Sequence, residues 1–110
     1  MLPKINRLTK KKDFELVFKN GEVLKEGSLL FKTAKNNQLD SRFGFVVSKK
    51  ISNKATIRNK VKRRLRRVVS SHLSEFKKPF DVIVIALLGI QKQEISEIEM
   101  AVVKFIKKNK

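Results

Sequence analysis

The sequence predicts a small α+β domain in which helices pack on a β-sheet, and three stretches predict it. Residues 57, 61, 65, 68 and 69 are apolar at helical spacing inside a run of basic residues, and His72 falls on the same face. Phe43, Phe45 and Val47 alternate with Gly44, Val46 and Ser48, as a strand would. Val82-Ile83-Val84-Ile85-Ala86-Leu87-Leu88 is apolar without alternation, which suits a strand covered on both faces. The 110 residues fit a single domain over 1–110, long enough to bury about 65% of its unfolded surface.

Taken in order, residues 1–8 read as an extended arm ending in Asn6-Arg7-Leu8. Thr9 is placed to cap a helix running to about Asn20, with Gly21 just past its end. Phe14, Val17 and Phe18 share one face of that helix, and Leu16 points the other way. Spacing alone allows both rings to be core, or one apolar side to be left over. Gly21 to Gly27 is turn-rich, with a short strand at Glu22–Lys25. Leu29–Lys35 and Arg42–Lys49 read as strands joined through the polar residues 36–41, which suggests an antiparallel hairpin. Ser52, Asn53 and Thr56 can each cap the basic helix that follows. That helix ends between His72 and Phe76, ahead of a break at Lys77-Lys78-Pro79. A strand over Asp81–Leu88 then makes a strand–helix–strand crossover that lays 42–49 and 81–88 in one sheet. In the last helix Ser96 and Glu99 fit a capping box, with Ile95 and Met100 as a hydrophobic staple. Ile98, Val102, Phe105 and Ile106 form its buried stripe.

Charge narrows the function. There are 27 Lys and Arg against 10 Asp and Glu, a net charge of +17. Solubility asks for a magnitude of only about 2–8, so the excess implies a polyanionic partner. A membrane surface fits less well, because Trp is absent and no chain-wide amphipathic helix is visible. The longest apolar run, Val82 to Ile90, is about half of a membrane span. With no signal-like apolar core at the start, a soluble cytoplasmic protein is expected. No cysteine is present, so disulfides and thiolate zinc sites are excluded.

Seven of the ten residues from Arg58 to Arg67 are basic and none is acidic. Wound at about 100° per residue, the apolar positions fill an arc about 120° wide. Asn59, Lys60, Lys62, Arg63, Arg64, Arg66 and Arg67 cover the rest. Arg58 lies at the apolar border, at a helix start where its side chain can swing out. A solvated face would mix both charge signs in i,i+4 pairs, and no carboxylate occurs here before Glu75. Guanidinium groups fit phosphates bidentately, so the helix is read as a nucleic-acid contact.

Catalytic chemistry is hard to find. His72, the only histidine, falls on the apolar side of the helix, where a packed ring fits better than a general base. The ten carboxylates are scattered and there is no Gly-rich phosphate loop, so no metal-holding set is expected. On its side chains the protein binds RNA or DNA and does not cut it alone. A structural RNA-binding protein fits these features too. A major-groove DNA reader would want a helix–turn–helix or a dimerising element, and a protein-only endonuclease would want metal ligands.

Gly44-Phe45-Val46-Val47-Ser48-Lys49-Lys50, then Lys54-Ala55, then Arg58-Asn59-Lys60-Val61-Lys62-Arg63-Arg64-Leu65-Arg66 resemble the bacterial ribonuclease P protein subunit. The family signature is Arg-Asn, two residues, Lys-Arg, two residues, Arg. It is met by Arg58, Asn59, Lys62, Arg63 and Arg66. The opening Asn6-Arg7-Leu8, the helix with Phe14 and Phe18, the Asp81-Val82-Ile83-Val84 strand and the closing helix follow in the family's order. Two positions depart: Ser52 stands where the family usually has Gly, and Leu87 where a basic residue is common.

The resemblance implies an αβββαβα domain with a mixed four-stranded sheet, like the second domain of a small-subunit ribosomal protein. Its strand–helix–strand crossover would be left-handed, against the usual preference. It also implies a division of labour, with no catalytic residue and no metal ligand in this chain. One protein would join one catalytic RNA, which hydrolyses the 5′ leader from precursor tRNA with Mg²⁺ held mainly by the RNA. No DNA and no membrane would be involved. Arg58, Asn59, Lys60, Lys62, Arg63, Arg66 and Arg67 would contact the catalytic RNA. Arg7, Phe14, Phe18, Phe31, Phe45, Ser48, Lys49 and Lys50 would hold the leader, in a cleft between the first helix and the sheet.

Overall fold

In the computed structural model, which describes residues 2–36, 39–76 and 79–108, Val82, Ile83 and Val84 have no exposed surface, and the sheet is built around them. The elements are α1 (Lys11–Asn20), β1 (Glu22–Glu26), β2 (Leu29–Lys35), β3 (Arg42–Val46), α2 (Ala55–Ser71), β4 (Phe80–Ala86) and α3 (Ile95–Lys108). This is the expected αβββαβα order. The four strands lie in the order β1-β2-β4-β3. β1 with β2 and β2 with β4 are antiparallel, while β3 and β4 are parallel, so the sheet is mixed.

The expected hairpin between β2 and β3 does not form, because β4 lies between them. A strand apolar on both faces is best placed in the middle, where both of its edges are also paired. Stepping across one extra strand needs about 10 Å, and a six-residue connection reaches about 20 Å. Asn37 and Gln38 of that connection, and Lys77 and Lys78 at the expected helix break, lie outside the described residues.

Register sorts the side chains onto two faces. Leu29, Phe31 and Thr33 pair with Ala86, Val84 and Val82, and Val82 and Val84 pair in turn with Phe43 and Phe45. This face meets α2 and α3 in the main core. The Phe31 and Phe105 rings stack there at 4.1 Å, and Phe76 meets Phe43 edge-on at 4.8 Å. The opposite face carries Lys32, Ile83 and Gly44 in one row and Leu30, Ile85 and Val46 in the next. There α1 forms a smaller cluster, with Val17, Ile83 and Leu8 buried.

Three local expectations are corrected. The N-terminal residues are not extended throughout: Lys4–Asn6 form a 3-10 turn, Leu2 is 1% exposed in the main core, and the Leu8 amide donates to the Phe43 carbonyl at 2.9 Å. Asn6 donates to the Ser41 carbonyl at 2.9 Å, so the segment is stitched along the outer edge of β3. Second, α1 begins at Lys11 with Lys10 at the cap position, so Thr9 does not cap it. Third, α3 begins at Ile95, its Glu97 and Ile98 amides donating to the Glu94 carbonyl, which puts Ser96 inside the first turn. Met100 is 60% exposed and staples nothing. A cap is worth about 1 kcal/mol. The buried stripe is as expected, with Ile98, Val102, Phe105 and Ile106 all in the core.

The strand–turn–helix passage into α2 is held by bonds between side chains and backbone. The Ser52 hydroxyl accepts the Lys54 amide at 3.1 Å, and no residue there has positive φ, so serine serves where the resembling family uses glycine. Thr56 is already inside α2, and no side chain caps it. Among the described residues no helix is long and apolar enough to cross a membrane.

Candidate nucleic-acid interface

α2 is held by Val61, Leu65, Val68 and Val69, all 3% exposed or less. That anchorage turns the rest of its circumference outward. Asn59, Lys60, Arg63, Arg66 and Arg67 are exposed, and Lys62 and Arg64 are half-buried. Among the described residues none of the six Lys and Arg in this set ion-pairs with a carboxylate. Arg58 differs. It is half-buried and its Nη1 donates to the Ser52 carbonyl at 2.9 Å, so it braces the turn into the helix rather than swinging out.

On the other side of the sheet α1 covers only part of the floor. The tip of the Phe14 ring abuts Gly44: a Cβ at that glycine would sit 2.7 Å from Phe14 Cε1 and closer still to Cζ. Glycine here lets an aromatic ring approach the strand backbone. One turn on, Phe18 is 44% exposed, with the Lys32 ammonium 4.9 Å from its ring centroid. Beside them the row Leu30, Ile85 and Val46 is only half-buried. The result is an open aromatic and apolar floor with a cation on it. Past the end of β3, Ser48, Lys49 and Lys50 form an exposed turn held between buried Val47 and Ile51.

Two residues assigned to this cleft by resemblance are elsewhere. Phe31 is 1% exposed beneath α3, and Phe45 packs at the margin of the α2-side core. The cause is strand alternation: since Gly44 faces Phe14, residues 43 and 45 must face away. Lys32, which was missed, takes the place assigned to Phe31, and the parity of β2 is the signal that could have found it. Arg7 is exposed at the edge of β3, its Nε donating to the Leu2 carbonyl at 2.9 Å.

A charge network fixes α1 over the floor. Arg42 clasps Asp81 through two bonds, at 2.8 and 2.7 Å, and reaches Asp13 of α1 at 3.2 Å. Asn36 adds a bond to Asp81 at 2.8 Å. Asp81 is 7% exposed, and its hydrogen bond raises the Arg42 pKa further, so the cation stays charged. At the far end of α2, His72 hydrogen-bonds Glu75 and lies 3.5 Å from Glu99 of α3. The Glu75 bond, opposed by burial and assisted by Glu99, raises the His72 pKa above the usual imidazole value.

No three His, Cys, Asp or Glu side chains among the described residues gather into a metal-holding group. The described residues present two distinct surfaces, one cationic and one aromatic, on different sides of one sheet.

The family model described as Ribonuclease P matches residues 2–110. The ribonuclease P protein component of Synechocystis sp. is 41% identical over 87 residues, 78% of this chain and 70% of its own length. That of Syntrophomonas wolfei is 32% identical over 108 residues, 98% of this chain and 90% of its own. Among solved structures, the Staphylococcus aureus RNase P protein superposes with a TM-score of 0.83 at 30% identity, covering 96% of this chain and 95% of that one. The Thermotoga maritima RNase P protein gives 0.84 at 30% identity, covering 93% and 96%. The chain belongs to the ribonuclease P protein component family.

Proposed function

We propose that this protein is the RNA-binding, non-catalytic subunit of a cytoplasmic ribonuclease P. In this reading α2 docks on the catalytic RNA, and the cleft between α1 and the sheet holds the single-stranded 5′ leader of precursor tRNA. The RNA, with Mg²⁺ held mainly by RNA, hydrolyses the phosphodiester that joins leader to tRNA. The observation that carries the reading is the separation of a carboxylate-free cationic helix from an aromatic floor in a member of this family. Phosphate neutralisation suits a folded RNA, and half-exposed rings suit unpaired bases. Between two polyanions, a chain of net charge +17 lowers their mutual repulsion, a task that otherwise falls to Mg²⁺.

The test is multiple-turnover cleavage of a leader-bearing precursor tRNA by a bacterial ribonuclease P RNA at low Mg²⁺, with and without the protein. The protein alone should do nothing, and with the RNA it should restore cleavage at the mature 5′ end. Binding to both RNAs with unchanged cleavage would refute the reading.

A further inference from the structure

α2 is cationic on two flanks, and the family signature accounts for one of them. At about 100° per residue, Lys62 and Arg66 lie on one side of the helix and Lys60, Arg64 and Arg67 on the other, with Arg63 at the crest between them. The second flank faces the short segment ahead of α3 across an open groove of about 780 Å³. Its cations are Lys60, Arg63, Arg64 and Arg67 on the helix and Lys92 opposite. Its one acid, Glu94, stands at the start of α3, where the helix dipole favours a negative charge.

The far wall is preformed. The Gln91 amide donates to the Ile51 carbonyl at 3.3 Å, and that of Gln93 donates to the Ser28 hydroxyl at 3.1 Å. Ile90 is 1% exposed beneath them. Among the described residues none of the five cations ion-pairs, so like charges face one another across the groove with Glu94 as the one acid in its lining. No aromatic ring lines it, so it has no platform for splayed bases, unlike the floor beside α1. Fixed walls, unpaired cations and no stacking surface describe a seat for a sugar–phosphate backbone.

We infer that this groove is a second docking surface for the catalytic RNA, holding the backbone of a different segment from the one on the signature flank. The inference rests on the reading of α2 as the RNA-docking helix and extends it. The helix is clasped from both sides, which fixes its rotation on the RNA as well as its position.

The test uses the full-length protein and a bacterial ribonuclease P RNA. Lys60 and Lys92 are both exposed, so Lys60→Ala with Lys92→Ala leaves the fold intact. The double variant should bind the RNA roughly tenfold more weakly and flatten the log–log salt slope by about 2. Since the chain has no cysteine, Lys92→Cys and Asn59→Cys can each carry a single tethered hydroxyl-radical source, and they should cut different segments of the catalytic RNA. Wild-type affinity and slope in the double variant, with Arg66→Ala still weakened, would overturn the groove and leave the docking reading standing. If Arg66→Ala also binds normally, both fall. Coincident cuts from the two cysteines, or cuts from Lys92→Cys on precursor tRNA alone, would also overturn the groove.

Discussion

The two faces of the sheet are built on opposite principles. The face under α2 and α3 is closed, with Phe31, Phe43 and Phe105 each 2% exposed or less, so the cations of α2 ride on a rigid body. The face under α1 is left open, with Val17 and Ile83 buried while Phe18, Leu30, Val46 and Ile85 keep contact with solvent. A structured RNA can be met by fixed charges. A flexible strand needs a floor whose rings are not already consumed by the core. The same residue type therefore has two fates in this chain: Phe31 is structural and Phe18 is available.

The sharpest way to break this comparison is Phe31→Ala. Loss of the ring stacked on Phe105 should cost about 3–5 kcal/mol, a melting temperature lower by roughly 15 °C, with no selective effect on precursor binding. A variant that melts normally but loses precursor preference would return Phe31 to the cleft. Next is Arg42→Ala, which leaves buried Asp81 without its cation and frees Asp13 of α1. A loss of about 3 kcal/mol is expected by chemical denaturation, together with weaker precursor discrimination as α1 loosens. Gly44→Ala should cost less, about 1–2 kcal/mol. It should lift the Phe14 ring and lower the preference for precursor over mature tRNA while catalytic-RNA affinity holds. Unchanged preference would separate the ring's position from its role.

The smallest effect concerns His72. Its folded pKa is raised, so its stabilising contribution is complete below the unfolded value near 6.5 and fades as pH rises through the folded value. Glu75 and Glu99 are both about half exposed, so the amount is under about 1 kcal/mol. Thermal melts of His72→Ala should fall below wild type at pH 6 and converge with it by pH 9. A constant gap would mean the ring acts by packing alone.

Much of this was legible in the sequence because it depends on period. The apolar stripe of α2 and the unbroken run of β4 each have one solution, and both were placed. The strand order was not legible, since β2 and β3 flank a polar loop equally well as a hairpin or with β4 between them. Caps at Thr9 and Ser96 failed because a side-chain cap of about 1 kcal/mol is too weak a signal to fix a helix start by itself. In the site, the outward face of the cationic helix could be read from its period, but not Arg58, which bonds back to the Ser52 carbonyl. The cleft could not, because assigning Phe31 and Phe45 needed the parity of each strand relative to Gly44, and that depends on where Phe14 lands. The groove beside α3 was hidden because Lys92 approaches α2 only through the tertiary fold.

The central claim is that the two faces do separate work, and a paired measurement tests it most directly. Arg66→Ala and Phe14→Ala would each be assayed for affinity to the catalytic RNA and, in the assembled holoenzyme, for binding of precursor relative to mature tRNA. Arg66→Ala should weaken the first and flatten its salt slope by about 1, leaving the second unchanged. Phe14→Ala should lower the second by about tenfold, leaving the first unchanged. If both variants shift both quantities together, the two faces form a single surface and the account is wrong.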